Sequence, residues 1–434
     1  MLSRLSWATQ IDAYPPTFGN IFCIMIKNRD IIIVGLQPWD IPIGSNCRNI
    51  AIEFAKHNRV LYVNSPLDSN TKISQKKNPL VAKRLELLKE KENNLKQVSD
   101  NLWNLYPANT IRSINWIPST GVFRKFNRIN NVRFATDIKE AAKKLNFRDY
   151  ILFNDSDMFR SYHLKELLNP AITIYYSRDN LMVFKYWFKH GHKLEPELIK
   201  KSSLVVANSQ HLTNIAQKYN PNSFYVGQGC DLSMFDPTED YNVPDDIKNI
   251  RRPVIGYIGT IFSSRLDVEL LTKISEKKPD WSFVFVGQTD EVFSKASIQY
   301  LPNVHFLGHK DGSLLPDYLK QFDVAINPQP VNEYTIGNYP RKVDEYLAMG
   351  KPVVATKTDT MSIFREVVYL GITPEDYIHL IEKALKEDNK ELQKKRIEVA
   401  ATHTWERSVQ AIYEAIIKVD PSFASKQSLK TMVS

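Results

Sequence analysis

The stretch Asn338-Tyr-Pro-Arg-Lys-Val-Asp-Glu-Tyr-Leu-Ala-Met-Gly-Lys-Pro-Val-Val-Ala-Thr356 predicts a loop, a short helix, a stop and a buried strand, in that order. Pro340 suits the first turn of a helix, because the N–H that proline lacks would have no partner there. Gly350 is placed to end the helix, and Pro352 follows it. The apolar run Val353–Ala355 is typical of a strand in a parallel sheet. Together these signals predict one helix-and-strand step of an α/β fold.

The charges on this predicted helix suggest a ligand. Arg341 and Lys342 fall in the first turn, where the helix dipole disfavours cations unless an anion binds there. Glu345 follows about one turn later, where a carboxylate would repel phosphate but could accept hydrogen bonds from two ribose hydroxyl groups. The alternative is a solvated Arg341–Glu345 ion pair, which contributes only about 0.2–0.5 kcal/mol. The helix alone leaves both interpretations open.

Composition limits the class of protein. The chain has 434 residues, of which 43% are hydrophobic and 24% charged, so we expect two ordinary globular domains. The net charge of +9 favours an anionic partner such as a membrane surface, a nucleotide or an acidic glycan. Three widely spaced cysteines indicate a reducing compartment and neither a disulfide framework nor a zinc site. No apolar run approaches the length of about 20 residues that a membrane span needs. We therefore predict a cytoplasmic protein and consider a place at the inner face of the membrane.

Short apolar runs alternate with amphipathic stretches in both halves of the chain, which predicts a parallel α/β sheet in each half. The runs of the first half are residues 30–35, 60–63, 150–153, 171–176, 203–207 and 224–226. Those of the second half are residues 254–258, 282–286, 304–306, 323–326 and 352–355. The predicted divisions are a peripheral extension (1–27), a first domain (28–245), a second domain (250–403), a final helix (404–420) and a tail (421–434).

The first half also carries three clusters rich in cations, two of which interleave them with aromatic residues. They are residues 72–96, 112–128 and 184–190. Solvated helix faces and core packing would explain many of these side chains. A surface that contacts anionic lipid is the second interpretation, because aromatic and basic residues both favour the membrane interface.

Ligands of parallel sheets bind beyond the carboxyl ends of the strands. In the second half, Gly259 and Thr260 follow the first strand, Gly287 follows the second, and Arg265 lies near the start of the next helix. With Arg341, Lys342 and Glu345 they predict a pocket for a nucleoside diphosphate. In the first half, Gly44 and Ser45, and Arg178 and Asp179, follow strands of their own. Two such sheets facing across a cleft would hold an activated donor against an acceptor.

Several motifs in order resemble one known family. Residues 345–356 are similar to the donor-site motif of GT-B glycosyltransferases in the family 4 group. Val226–Phe235 resembles their pNGvDlerF segment, and Val206–Ser209 resembles the preceding vanS. The pattern NPxKxxEYLAxGKPVV of the teichuronic-acid and capsule type is similar to Tyr339–Val354. The resemblance covers roughly Asp30 to Lys418. Gly337 stands where other members have a second glutamate, and Arg178-Asp179 replaces their His-Asp.

The resemblance implies a GT-B fold, in which two Rossmann-like domains face across a cleft and a C-terminal helix crosses back to the first domain. It also implies transfer of a sugar from a nucleotide-sugar to a hydroxyl of a glycan or lipid-linked acceptor in cell-surface polysaccharide synthesis. We expect retention of configuration, no cofactor and no metal requirement. The expected partners are the nucleotide-sugar and the acceptor, with peripheral contact to an anionic membrane as a hypothesis and without nucleic acid.

The resemblance also implies roles for individual residues. Glu345 would bind the ribose, and Lys342 with Arg265 would bind the diphosphate. Asn338 and Tyr339 would line the sugar-diphosphate. Asp179 would be the catalytic group on the acceptor side. Gly44, Ser45 and Arg48 would close the cleft from the first domain.

Other interpretations compete with this one. Asp155-Ser-Asp157 follows a strand, as does the DxD motif that holds manganese in GT-A transferases, although the two aspartates could instead cap the next helix. His190-Gly-His192 is interpreted as a solvated loop and not as a metal site. A nucleotide-sugar-binding protein without catalysis and a GT-B-fold epimerase both remain alternatives to the transferase.

Overall fold

The computed structural model describes residues 25–41, 45–88, 94–333, 335–337 and 339–424. These residues form two α/β domains, each built on its own sheet. Two predicted site residues, Gly44 and Asn338, lie outside the described residues. So do most of the predicted extension (1–27) and of the predicted tail (421–434).

The first sheet has eight strands in the order β3-β4-β2-β1-β5-β6-β7-β8. Their bounds are β1 Asp30–Gly35, β2 Arg59–Asn64, β3 Leu95–Ser99, β4 Leu102–Leu105, β5 Ile151–Asp155, β6 Ile172–Ser177, β7 Leu204–Ala207 and β8 Ser223–Tyr225. All pairs are parallel except β3 with β4. This antiparallel edge hairpin was not predicted, because β3 is polar and mostly exposed.

The second sheet has six parallel strands in the order β11-β10-β9-β12-β13-β14. Their bounds are β9 Val254–Ile258, β10 Ser282–Val286, β11 Val304–Gly308, β12 Val324–Asn327, β13 Val353–Thr356 and β14 Val368–Gly371. The strand β14 was not predicted. The other five agree with the predicted apolar runs to within a residue or two at their ends.

Helices cover both faces of each sheet. In the first domain they are α1 Asn46–Ala55, α2 Ser69–Ser74, α3 Pro79–Leu87, α4 Thr120–Lys144, α5 Leu164–Leu168, α6 Lys185–Lys201 and α7 Gln210–Gln217. The second domain and the chain end contribute α8 Val268–Lys277, α9 Glu291–Lys295, α10 Leu315–Gln321, α11 Arg341–Ala348, α12 Pro374–Glu387, α13 Lys390–Ala401 and α14 Trp405–Val419. Short 3-10 turns occur at 181–183, 297–300, 312–314, 360–364 and 421–423.

The helix α11 is fixed against the carboxyl end of β9. Its apolar face, Val343, Tyr346 and Leu347, is completely buried. The backbone N–H of Ile258 donates to the Tyr346 hydroxyl at 2.9 Å, and that hydroxyl lies 3.2 Å from the Ile258 carbonyl oxygen. Gly350 has a φ of +70° just beyond the helix, which a residue with a side chain rarely adopts. The predicted helix, its apolar face and its glycine stop are therefore confirmed.

The last helix, α14, returns to the first domain, as the resemblance implied. Its buried stripe includes Ile412, Tyr413 and Ile416, which belong to the same apolar cluster as Phe54 of α1. The Tyr413 and Phe54 rings lie 5.5 Å apart, and the amide nitrogen of Asn58 donates to the Tyr413 hydroxyl at 2.8 Å. The fold of the first domain therefore includes the end of the chain.

None of the described helices combines the length and the apolar character that a membrane span requires.

Candidate active site

Two glycine loops form one wall of the site in the second domain. Gly259 follows β9 with a φ of +139°, and Gly287 follows β10 with a φ of +153°. A Cβ atom on Gly287 would lie 1.8 Å from the carbonyl oxygen of Gly259, so the two loops pack backbone against backbone. A Cβ atom on Gly259 would lie 2.8 Å from the Lys342 ammonium nitrogen. Glycine at both positions therefore leaves room for a ligand to approach the backbone beside this lysine.

The Lys342 side chain is held in place by Tyr257. Its ammonium donates to the Tyr257 hydroxyl and lies 4.3 Å from the centre of the Tyr257 ring. That hydroxyl is 3.2 Å from the carbonyl oxygen of Thr260, on the same loop as Gly259. Among the residues that the structure describes, no side chain caps the start of α11, where Pro340 precedes the first turn. A fixed cation and a glycine loop thus come together at the start of α11, which is an arrangement suited to phosphate.

Glu345 lies one turn further along α11 and is partly exposed. Burial raises the pKa of its carboxyl to about 7, although the positive charges of Arg341 and Lys342 act in the opposite direction. Within the part of the chain that the structure describes, no ion pair joins Arg341 to Glu345. The alternative of a solvated surface pair is therefore not supported. The carboxyl is instead a partly desolvated group close to two cations.

The raised pKa leads to a prediction for pH dependence. At pH 7 about half of the molecules should carry a neutral Glu345, which accepts hydrogen bonds more weakly than a carboxylate. If this group binds ribose hydroxyls, affinity for a nucleotide-sugar should fall by up to about tenfold between pH 8 and pH 6. Calorimetry with UDP-glucose measures this, because its diphosphate has no group that titrates near neutrality. Glu345→Gln should bind weakly at both pH values, and the same pH dependence in both proteins would contradict the assignment.

A buried pair connects this helix to the return of the chain. The Asp344 carboxylate is completely buried, with one oxygen 2.7 Å from His403 Nδ1. The Tyr339 hydroxyl lies 3.1 Å from the same nitrogen, and the backbone N–H of Cys230 donates to the His403 carbonyl oxygen at 2.9 Å. Cys230 and His403 belong to the two segments through which the chain passes between the domains. This cluster therefore fixes α11 to the two segments that connect the domains.

In the first domain, Arg178 is enclosed by two carboxylates. Its Nε donates to Asp155 at 2.7 Å and its Nη1 donates to Asp179 at 2.6 Å. Asp155 is completely buried, and 39% of the Asp179 side chain remains exposed. These charges hold the pKa of Arg178 above its ordinary value, despite burial. Of the predicted acceptor-side pair, Asp179 is thus the more accessible group, and Arg178 orients it.

The loop after β12 brings the second domain towards this pair. The Asn180 side chain donates to the carbonyl oxygen of Glu333 at 3.3 Å. Gly337 lies beside His211 of α7, whose Cδ2 would be 3.0 Å from an added Cβ. Asp179 therefore lies at the edge of the first domain that faces the loop leading into α11.

Three further residues predicted for the site are Ser45, Arg48 and Arg265. The Ser45 hydroxyl accepts from the Arg48 backbone N–H at 3.5 Å and caps α1, while the Arg48 guanidinium lies 5.3 Å from the Trp39 ring. Arg265 is exposed on the turn between β9 and α8. The helix near whose start Arg265 was predicted, α8, begins at Val268.

The two aspartates of Asp155-Ser-Asp157, the motif that competed with this interpretation, stabilise the local structure. Asp157 accepts from the backbone N–H groups of Phe159 and Arg160 and pairs with the Arg160 side chain at 2.9 Å. It caps the turn that precedes α5, and Asp155 is already paired with Arg178. Among the described residues, no group of three or more acidic, histidine or cysteine side chains could hold a metal ion.

The interpretation of His190-Gly-His192 as a loop was wrong. The segment lies inside α6, and His190 is completely buried. Its ring stacks on Phe123 at 4.1 Å, and its Nδ1 lies 3.1 Å from the Thr120 hydroxyl.

Two α/β domains built on largely parallel sheets, with a last helix returning to the first, define the GT-B fold. Solved structures with this fold align over nearly the whole chain. Sucrose-phosphate synthase from Thermosynechococcus elongatus is 16% identical and has a TM-score of 0.64, covering 91% of this chain and 100% of its own. HepE from Anabaena in complex with UDP is 14% identical, with a TM-score of 0.60 over 90% and 100% of the two chains. A trehalose-6-phosphate protein from E. coli bound with UDP-2-fluoro glucose is 10% identical, with a TM-score of 0.60 over 90% and 98%.

Sequence comparison supports the same class. Residues 252–387, which contain the glycine loops and α11, match the family model "Glycosyl transferases group 1". The "Putative teichuronic acid biosynthesis glycosyltransferase TuaH" of Bacillus subtilis (strain 168) is 35% identical over 159 residues. That match spans 35% of this chain and 40% of the length of TuaH. The resemblance stated from the motifs is confirmed for the second domain, and the GT-B fold is confirmed for the chain.

Proposed function

We propose that the protein is a glycosyltransferase that moves a sugar from a nucleotide-sugar to a hydroxyl of a glycan or lipid-linked acceptor in cell-surface polysaccharide synthesis. The observation that carries the proposal is the Lys342 ammonium, held beside Gly259 at the start of α11. The family match covers these residues, and one structural neighbour is in complex with UDP. The name of TuaH supports the place in polysaccharide synthesis.

In the proposed reaction, the bond between the sugar C1 and the diphosphate oxygen breaks, and a bond from C1 to the acceptor oxygen forms. The electron pair of the broken bond leaves with the nucleoside diphosphate. Lys342, Arg341 and the start of α11 would stabilise that growing negative charge. Glu345 would bind the ribose. The acceptor hydroxyl would give its proton to the carboxylate of Asp179, the proposed catalytic group on that side of the cleft.

Several finer points belong to the same proposal. The cations at the start of α11 supply the charge that a metal ion supplies in other transferases, so we propose a reaction without metal. Retention of anomeric configuration follows from the family resemblance. The contribution of Arg265, and that of Asn338 to the sugar-diphosphate, are proposed on the same ground.

The test is turnover of a panel of UDP-, GDP- and dTDP-sugars, with and without glycan and lipid-linked acceptors. We expect one donor to release its nucleoside diphosphate, faster with acceptor, and at the same rate after treatment with EDTA. Loss of turnover in EDTA that manganese restores would contradict the metal-free reaction. Binding without any turnover would favour a non-catalytic binding protein. A changed sugar on intact donor, without acceptor, would identify an epimerase.

A further inference from the structure

One end of the first domain carries large apolar side chains that no part of the described chain covers. Ile73 of α2, Trp116 of the loop before α4, and Tyr186 and Phe188 of α6 leave between 54% and 79% of their surfaces exposed. Exposure of four such side chains in one region is unusual for a surface that contacts only water. We call these four residues, together with Lys72, Lys76, Arg112, Lys185 and Lys189, the cation–aromatic face.

The three segments of the cation–aromatic face contact one another. The backbone N–H of Asn70 in α2 donates to the Ser113 hydroxyl at 2.9 Å. The Asn115 side chain donates to the carbonyl oxygen of Tyr186 at 3.0 Å, and the Lys189 ammonium donates to that of Trp116 at 2.8 Å. The exposed side chains therefore lie on neighbouring segments of a single surface.

The three segments of this surface carry basic residues and no acidic ones. Residues 69–85, 111–136 and 184–194 contain no aspartate or glutamate, and each segment contains three or more lysine or arginine residues. The nearest acidic side chain on α2 is Asp68, whose carboxylate accepts from Ser113 and Thr71 hydroxyls and from backbone N–H groups. It is used to join α2 to the neighbouring loop. The face therefore presents cations whose charge is not balanced on the same segments.

We propose that the cation–aromatic face docks on an anionic lipid bilayer. Tryptophan and tyrosine favour the headgroup region, where an apolar ring and a polar edge are both accommodated. Each lysine or arginine near an anionic membrane adds to binding, and two kinds of contact together give a stable but reversible attachment. A second copy of this chain could cover this surface only with an acidic surface of its own. An anionic bilayer supplies the negative charge through its headgroups.

The position of this face has a consequence for the acceptor. The segments follow the carboxyl ends of β2, β4 and β6, so they lie at the same edge of the first sheet as Arg178 and Asp179. Docking would therefore turn the acceptor side of the cleft towards the membrane. This consequence rests on the proposed function and selects a lipid-linked acceptor held in the bilayer over a glycan in solution.

The test is sedimentation of the full chain with vesicles of phosphatidylcholine alone, or with about one third phosphatidylglycerol. Wild type should bind the anionic vesicles, and binding should weaken as salt is added. Lys76→Glu with Lys185→Glu should weaken binding about 30-fold or more, because each lost basic residue weakens it by roughly fivefold. Trp116→Ala with Tyr186→Ala should also weaken it. The matched controls are Lys295→Glu with Lys394→Glu, and Tyr300→Ala, all exposed on the second domain.

Equal binding to both kinds of vesicle, or equal loss in the face variants and the controls, would overturn the proposal. Sedimentation velocity without lipid is the second measurement. Self-association of the wild type that is lost with Trp116→Ala and Tyr186→Ala would make the face a contact between copies and would also overturn it. Donor turnover in solution, measured on the same samples, should be unchanged in all variants. A wild type that turns over donor without binding vesicles would remove the docking and leave the proposed function in place.

Discussion

Lys342→Ala is expected to weaken binding of the donor nucleotide by about 10- to 100-fold, which corresponds to the loss of one charge-assisted hydrogen bond to phosphate. The reason is the position of the ammonium, which Tyr257 holds beside the glycine loop at the start of α11. The fold should survive, because Lys342 is not part of the buried apolar face of the helix. Calorimetry with the nucleoside diphosphate of the active donor measures the affinity, and thermal unfolding checks the fold.

Two variants make this experiment specific. Tyr257→Phe keeps the ring under the ammonium but removes the hydroxyl that fixes it, so we expect a smaller loss of affinity than in Lys342→Ala. Lys394→Ala removes an equally charged but exposed lysine from α13, and its affinity should equal that of the wild type. Unchanged affinity in Lys342→Ala, with the fold intact, would show that the phosphate binds elsewhere.

Asp155→Ala is expected to destabilise the first domain by about 3–5 kcal/mol, because it removes a buried partner of a buried guanidinium. The lost carboxylate also accepts from the backbone N–H of Leu36, which would lose that partner. For a domain of this size the loss corresponds to a fall of roughly 10 °C in the midpoint of its transition. Scanning calorimetry should show one transition that moves and a second that does not.

The control for Asp155→Ala lies on the other side of the same guanidinium. Asp179→Ala leaves Arg178 paired with the buried carboxylate, and the removed group is partly exposed. We expect it to cost about 1 kcal/mol or less in stability but to lower turnover strongly. If both variants destabilised the domain equally, the two carboxylates would have the same structural role. Asp179 would then lose its assignment as the catalytic group on the acceptor side.

Much of the second domain could be predicted because its signals are local. The stretch that ends at Thr356 combines an apolar helical face, a glycine stop and an apolar strand, and each of these depends only on neighbouring residues. The edge strand β3 could not be predicted in this way. Its residues, Leu95 to Ser99, are polar and exposed, so only pairing with β4 makes them a strand.

The sequence alone suggests the parts of the candidate site whose residues are close together in the chain, and it does not show the contacts between distant residues. Lys342 and Glu345 share one helix turn, and their charges alone suggest a ligand. Tyr257, which holds Lys342, is 85 residues away, and nothing in its own neighbourhood marks it. The pairing of Asp344 with His403 joins residues 59 apart through the hinge between domains. Burial is the other missing quantity, because the sequence cannot show that Arg178 is enclosed by carboxylates.

The most direct test of the central claim is a crystal structure of the full chain with the nucleoside diphosphate of its donor. We predict that the diphosphate lies against Gly259 and the start of α11, within hydrogen-bonding distance of the Lys342 ammonium, with the ribose hydroxyls on Glu345. An ordered nucleotide at any other place, or one on α11 that contacts neither Lys342 nor Glu345, would contradict this account.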